Sequence, residues 1–311
     1  MDPQVKALFE MMEAQAAAAG APPMWELPAH VARANAETGF AAFNVGAPEI
    51  ASIVNRSIPG PAGDIPVMIL TPKGEGPFPL LVYLHGGGWV IGSPATHQKL
   101  CSELAEGAGV VVVSVDYRLA PEHPAPAALD DCLAATRWSV ENAGSINADP
   151  RRFAIAGDSA GANLAVASAL KLRDEGGPQA RLMLLIYGCY DLALETESCR
   201  ENGEGKILTL ESMRWFREHY LSGGVDVRDP LISPVHANLA GLPPAHLIVG
   251  TLDPLLDDSR LFAEKLQAVG VPVRLSVYDD MPHVFLQLSA LLDGGKKGVA
   301  EASQALSEAL A

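Results

Sequence analysis

A chain of 311 residues that is 49% hydrophobic can fill a sizeable core, which excludes a disordered polymer. Its 37 acidic against 22 basic residues give a formal net charge of −15; such a surface repels phosphate backbones and anionic lipid, so neither nucleic acid nor a membrane is an expected partner. No apolar run approaches the roughly 18 residues that span a bilayer, and Cys101, Cys132, Cys189 and Cys199 have neither zinc-site nor disulfide-framework spacing.

In chain order, the opening Met-Asp-Pro-Gln lacks the charged-then-apolar order of a secretory signal, so a cytoplasmic protein is expected. Residues 3–19 are Ala-rich and predict a helix, and a loosely patterned, Pro-containing stretch follows to about residue 48. Residues 53–58 and 64–70, joined by the turn PGPAG, predict an antiparallel pair at one sheet edge. Six further runs lie at 80–84, 110–115, 153–156, 182–187, 246–250 and 273–278. Rich in Val, Leu and Ile without alternation, they suit strands buried on both faces. Helical patterns at 97–106, 127–142, 163–175 and 259–269 separate them; in the last, Phe262, Leu266 and Val269 share one face. Strands alternating with helices predict an α/β fold with a mainly parallel eight-stranded sheet covered on both sides. Residues 191–242 break the alternation with one helical piece at 210–221 and many turn residues, the kind of insertion that often lies over a site. The expected division is a core at 49–190 and 243–311, with 1–48 and 191–242 outside it.

Gly157-Asp158-Ser159-Ala160-Gly161 has the form GxSxG between a strand and a helix. In that setting the serine stands at a sharp turn, with glycines where chains pass closely and a helix amino end beneath it. Chance alone gives roughly 0.15 such matches in a chain of this composition, so the motif by itself is weak. His85-Gly86-Gly87-Gly88-Trp89 is sharper, with roughly 0.006 chance matches expected. Its bare backbone N–H groups, together with that of Ala160, can face an oxygen carrying developing charge. No GKS, GKT or GxGxxG accompanies it, which disfavours a phosphate loop.

A serine hydroxyl needs a base. Of eight histidines, His219, His236, His246 and His283 follow Ser159, and only His283 follows the last predicted strand. The acid should lie between serine and histidine, just past a strand, which selects Asp253, with Asp191 as runner-up. Asp257 and Asp258 fall at the next helix start, where carboxylates commonly cap N–H groups. Trp89 is a candidate substrate contact. No metal and no cofactor is called for.

These motifs, in this order, resemble the bacterial hormone-sensitive-lipase-like esterases of the α/β-hydrolase superfamily. The likeness runs from about residue 80 to 283 and includes Asp116-Tyr117-Arg118-Leu119-Ala120-Pro121-Glu122-His123-Pro124 and Asp253-Pro254-Leu255. It implies a Ser159–His283–Asp253 triad and an oxyanion hole of Gly87, Gly88 and Ala160, with Gly86 shaping the turn. It also implies a cap built from residues 1–48 and 191–242, and a small-molecule ester of short or medium acyl length as substrate. Arg118 and Glu122 would be structural, and family members often dimerise through the sheet edge. Three positions depart from the family pattern: Ala162 and Val284 replace glycines, and Ala125 replaces a phenylalanine. An amidase, lactonase or carbamate hydrolase with the same triad, or a receptor on the same fold, are the alternatives.

Overall fold

The computed structural model describes residues 1–20 and 22–311. Eight strands form one sheet: β1 (Ser52–Gly60), β2 (Gly63–Thr71), β3 (Phe78–Leu84), β4 (Val111–Val115), β5 (Ala148–Asp158), β6 (Met183–Ile186), β7 (Ala245–Leu252) and β8 (Val273–Pro282). Their order is β1-β2-β4-β3-β5-β6-β7-β8. β1 with β2 and β2 with β4 run antiparallel; every other pair is parallel. The expected eight-stranded, mainly parallel sheet with its antiparallel edge is what the chain forms.

The absence of alternation in the central runs has a simple cause. Leu80, Val82 and Leu84 of β3 point into one core, Leu81 and Tyr83 into the other. The first core is closed by α4 (Ala127–Glu141), α5 (Ala160–Asp174) and α8 (Leu256–Ala268), through side chains such as Leu129, Leu164 and Phe262. The second is closed by α1 (Pro3–Ala19), α3 (Gln98–Ala108) and α9 (Asp293–Leu310), through Val5, Leu104 and Leu306. Each fully buried Leu or Val stabilises by about 1.5–3 kcal/mol, so neither face can be opened cheaply.

Four expectations need correction. β8 is an edge strand, half-exposed along most of its length, because no ninth strand covers it. α5 begins at Ala160, three residues earlier than its periodicity suggested, directly behind the serine. The loosely patterned stretch before residue 48 contains α2 (Ala29–Ala41), and α9 was not foreseen at all. Finally, α8 has no side-chain cap: Asp258 instead accepts from the amides of Tyr190 (2.6 Å) and Asp191 (3.2 Å), and Asp257 from that of Ser198 (2.9 Å). Two acidic side chains at the start of α8 thus tie down residues 190–198, which include the beginning of α6 (Glu197–Glu201). The remaining insertion helix is α7 (Leu210–Tyr220). Among the described residues no helix is long and apolar enough to cross a membrane.

Candidate active site

β5 ends at Asp158 and α5 starts at Ala160, which leaves Ser159 alone at the corner with φ 54° and ψ −120°. That conformation is disfavoured for a residue with a β-carbon and persists only when its surroundings hold it. They do so tightly: the Ser159 amide donates to the Ile186 carbonyl at 2.8 Å. A β-carbon on Gly161 would stand 1.9 Å from the Leu84 carbonyl oxygen, and one on Gly157 would stand 2.3 Å from the Gly161 carbonyl carbon. Only glycine lets β3 and the helix start pass at this distance.

Asp253 and His283 follow the last residues of β7 and β8, so the parallel sheet delivers both to the end where Ser159 stands. The His283 Nε2 lies 3.0 Å from the Ser159 hydroxyl, and its Nδ1 lies 2.7 Å from the Asp253 carboxylate. Asp253 is fully buried, and its second oxygen accepts from the Leu255 amide at 2.8 Å. The Tyr187 ring packs 4.7 Å from the imidazole. Three side chains spaced across 124 residues therefore form one hydrogen-bonded line.

Beside this line runs the glycine loop after β3. Gly86 donates its amide to Asp158 Oδ1 at 2.9 Å, which fixes the turn. Gly87 (φ 116°) and Gly88 (φ 58°) follow; a β-carbon on Gly87 would meet the Ile91 carbonyl oxygen at 2.1 Å, and one on Gly88 the Phe216 ring at 2.1 Å. The N–H groups of Gly87 and Gly88 meet no acceptor among the described residues. Ala160 opens α5, so its N–H has no partner within the helix. All three residues line the same cavity as Ser159 and His283.

Asp158 is the residue that sequence reasoning passed over. It is 1% exposed and accepts from Tyr83 Oη (2.7 Å), Gly86 N (2.9 Å), His97 Nε2 (3.3 Å) and Gln287 Nε2 (3.3 Å). Burial alone would push its pKa up, but the charge and hydrogen bond of His97 and the Tyr83 hydroxyl overcome that and hold it below the ordinary carboxylate value. His85 is driven down to about 3 by burial and by His97, so its ring is neutral; it stacks on Tyr117 at 4.2 Å. One signal was available: an acid inside an otherwise apolar strand end must find several donors.

The other candidates fall as follows. Asp191 faces His236 at 3.8 Å, while the Nδ1 of His283 is held by Asp253. Arg118 pairs with Asp131 (2.8 Å), and Glu122 with Arg33 of α2 (2.8 Å). Trp89 lines the cavity but is almost wholly buried, stacked on Tyr220 at 4.4 Å. Val284 also lines the cavity, in a left-handed conformation (φ 62°), whereas Ala162 is fully buried. The Ala125 amide donates to the Tyr220 carbonyl. The cavity holds about 620 Å³. Its upper wall comes from Met12, Met24 and Trp25 near the amino end and Leu208, Met213 and Phe216 of the insertion. Among the described residues no group of three His, Cys, Asp or Glu could hold a metal ion.

Residues 81–287 match the family model described as alpha/beta hydrolase fold. The chain is 43% identical to carboxylic ester hydrolase LipN of Mycobacterium tuberculosis, over 82% of this chain and 69% of that one. It is 34% identical to ethyl acetate hydrolase of Pseudomonas putida, over 100% and 99%. Among solved structures, an ester hydrolase from the Lake Arreo metagenome, complexed with a derivative of bipyridine phosphonate, superposes with a TM-score of 0.95 at 36% identity, over 99% of this chain and 98% of that one. The hyperthermophilic esterase of Pyrobaculum calidifontis gives 0.89 at 36%, over 92% and 95%. With its fold, glycine loop and serine corner, the chain belongs to the α/β-hydrolase family, in the hormone-sensitive-lipase-like group.

Proposed function

We propose that this protein is a carboxylic ester hydrolase that works through an acyl-enzyme on Ser159. The observation that carries the reading is the continuous hydrogen-bonded line from Asp253 through His283 to Ser159. The Ser159 proton passes to His283 Nε2 as Oγ bonds to the ester carbonyl carbon; Asp253 stabilises the imidazolium. The N–H groups of Gly87, Gly88 and Ala160 hold the oxyanion, each worth about 10²–10³ in turnover. The carbon–oxygen bond to the alcohol then breaks, the alcohol leaves with the proton from His283, and water repeats the sequence on the acyl-enzyme.

Residues 1–48 and 191–242 act together as the cap over this site, with the cavity beneath them for the acyl or alcohol group. Preference falls on short to medium acyl chains; full-length similarity to a protein named ethyl acetate hydrolase supports that range. The test is a panel of p-nitrophenyl esters from acetate to palmitate with a Ser159→Ala control. Acetate to hexanoate should be cleaved faster than palmitate, and Ser159→Ala should lose about 10³-fold or more while staying folded. Wild-type turnover by Ser159→Ala would overturn the mechanism; a preference for palmitate would overturn the chain-length assignment alone.

A further inference from the structure

The charge of the cavity is opposite to that of the molecule. The chain carries a formal net charge of −15, yet the only carboxylate among the cavity-lining residues is Asp158, which is 1% exposed and bonded to four donors. The cations that line the cavity are different. Lys206, between α6 and α7, has no carboxylate within salt-bridge distance among the described residues; its ammonium lies over the Phe9 ring of α1 at 5.9 Å. Arg217 of α7 spends one guanidinium nitrogen on the Leu192 and Ala193 carbonyls (3.2 and 3.4 Å) and has no acidic partner among the described residues. Basic side chains elsewhere are commonly paired, as Arg33 is with Glu122, Arg118 with Asp131 and Lys73 with Glu49.

In an acidic protein, cations left without acidic partners in an apolar cavity create a local positive potential, and the low-dielectric walls strengthen it. We propose that this site takes esters bearing a carboxylate remote from the scissile carbonyl, and that Lys206 is a specificity-determining residue that meets it. The inference rests on the ester-hydrolase reading above and adds the substrate class. Neutral esters still enter, because the remaining walls are apolar: Met24, Leu208, Met213 and Phe216 give them contact area. The anionic ester gains an ion pair that its neutral analogue lacks, and the surrounding acidic surface does not cancel it at contact distance.

The test uses two matched pairs at constant pH. For a charge on the acyl side, p-nitrophenyl hydrogen glutarate is compared with p-nitrophenyl hexanoate; for the alcohol side, 4-acetoxybenzoate is compared with 4-acetoxybenzamide. The quantity read is the anionic-to-neutral ratio of kcat/KM in the wild type, Lys206→Met and Lys206→Glu. In at least one pair the ratio should fall about threefold or more in Lys206→Met and tenfold or more in Lys206→Glu. The wild-type ratio in that pair should also shrink as salt rises from 20 to 300 mM (about these limits), and the Lys206→Met ratio should be less sensitive to salt. Ratios within twofold of wild type in both variants and both pairs would overturn the proposal, as would a wild type that cleaves the neutral esters and neither anionic one. Failure of all four esters in the wild type would instead overturn the ester-hydrolase reading, so the two failures are distinguishable.

Discussion

Ser159 sits in a left-handed conformation because Gly157, Gly161 and the Leu84 carbonyl leave the chain no other route around the corner. That strain was readable in the spacing of the glycines. The convergence of Ser159, His283 and Asp253 was legible for a related reason: each follows a strand, and a parallel sheet gathers strand ends at one edge. Asp158 was less legible, since the groups that bond it (Tyr83, Gly86, His97 and Gln287) lie 61 to 129 residues away, and the only local signal was an acid at the end of an apolar strand. The Asp253 side chain offers a sharp test of the proposed triad. Asn at this position keeps an oxygen for the Leu255 amide but turns a donor toward His283 Nδ1, which favours the wrong tautomer. Asp253→Asn should lower kcat by about 10³–10⁴ with little change in Tm; a loss below tenfold on p-nitrophenyl butyrate would argue against this role.

At the scale of elements, the long apolar runs announced the strands, because burial on both faces removes alternation. The helices that escaped were those whose pattern is diluted by small residues. α2 is rich in Ala, and α9 opens with Asp-Gly-Gly-Lys-Lys-Gly, whose buried positions Gly295 and Gly298 carry no apolar side chain, before Val299, Ala302, Leu306 and Leu310 continue the same face. The start of α8 carries a further consequence. Burial raises the Asp258 carboxyl to about 8, although the Tyr190 and Asp191 amides pull it the other way, and its Oδ1 has no partner among the described residues. Between its ordinary value of 3.8 and about 8, the folded state keeps a proton that the unfolded state releases, so this group's contribution to stability falls as pH rises through that window and then levels off. Asp258→Asn keeps the acceptor for both amides and removes the titration. The Tm of Asp258→Asn relative to wild type should therefore climb from pH 5 to pH 8 and flatten by pH 9; a difference independent of pH would contradict the protonated carboxyl.

Over the whole molecule, the two cores enclose a sheet whose carboxyl end carries the glycine loop, the serine corner and the hydrogen-bonded pair Asp253 and His283. Side chains from the amino-terminal residues and from the insertion line the cavity beside it, and Arg33 of α2 donates to the Val90 and Ala120 carbonyls. Composition foretold the core and the acidic surface, but not a cavity lined by Lys206 and Arg217, because charge location is a property of the folded chain. In the proposed mechanism Ser159 is the nucleophile, activated by His283. Its most direct test is covalent labelling with a fluorophosphonate, read by intact mass and peptide mapping. One adduct on the Ser159 peptide is expected, absent in Ser159→Ala and formed about 10³-fold more slowly in His283→Ala. Labelling at another residue, or at an undiminished rate in His283→Ala, would contradict a Ser159 nucleophile activated by His283.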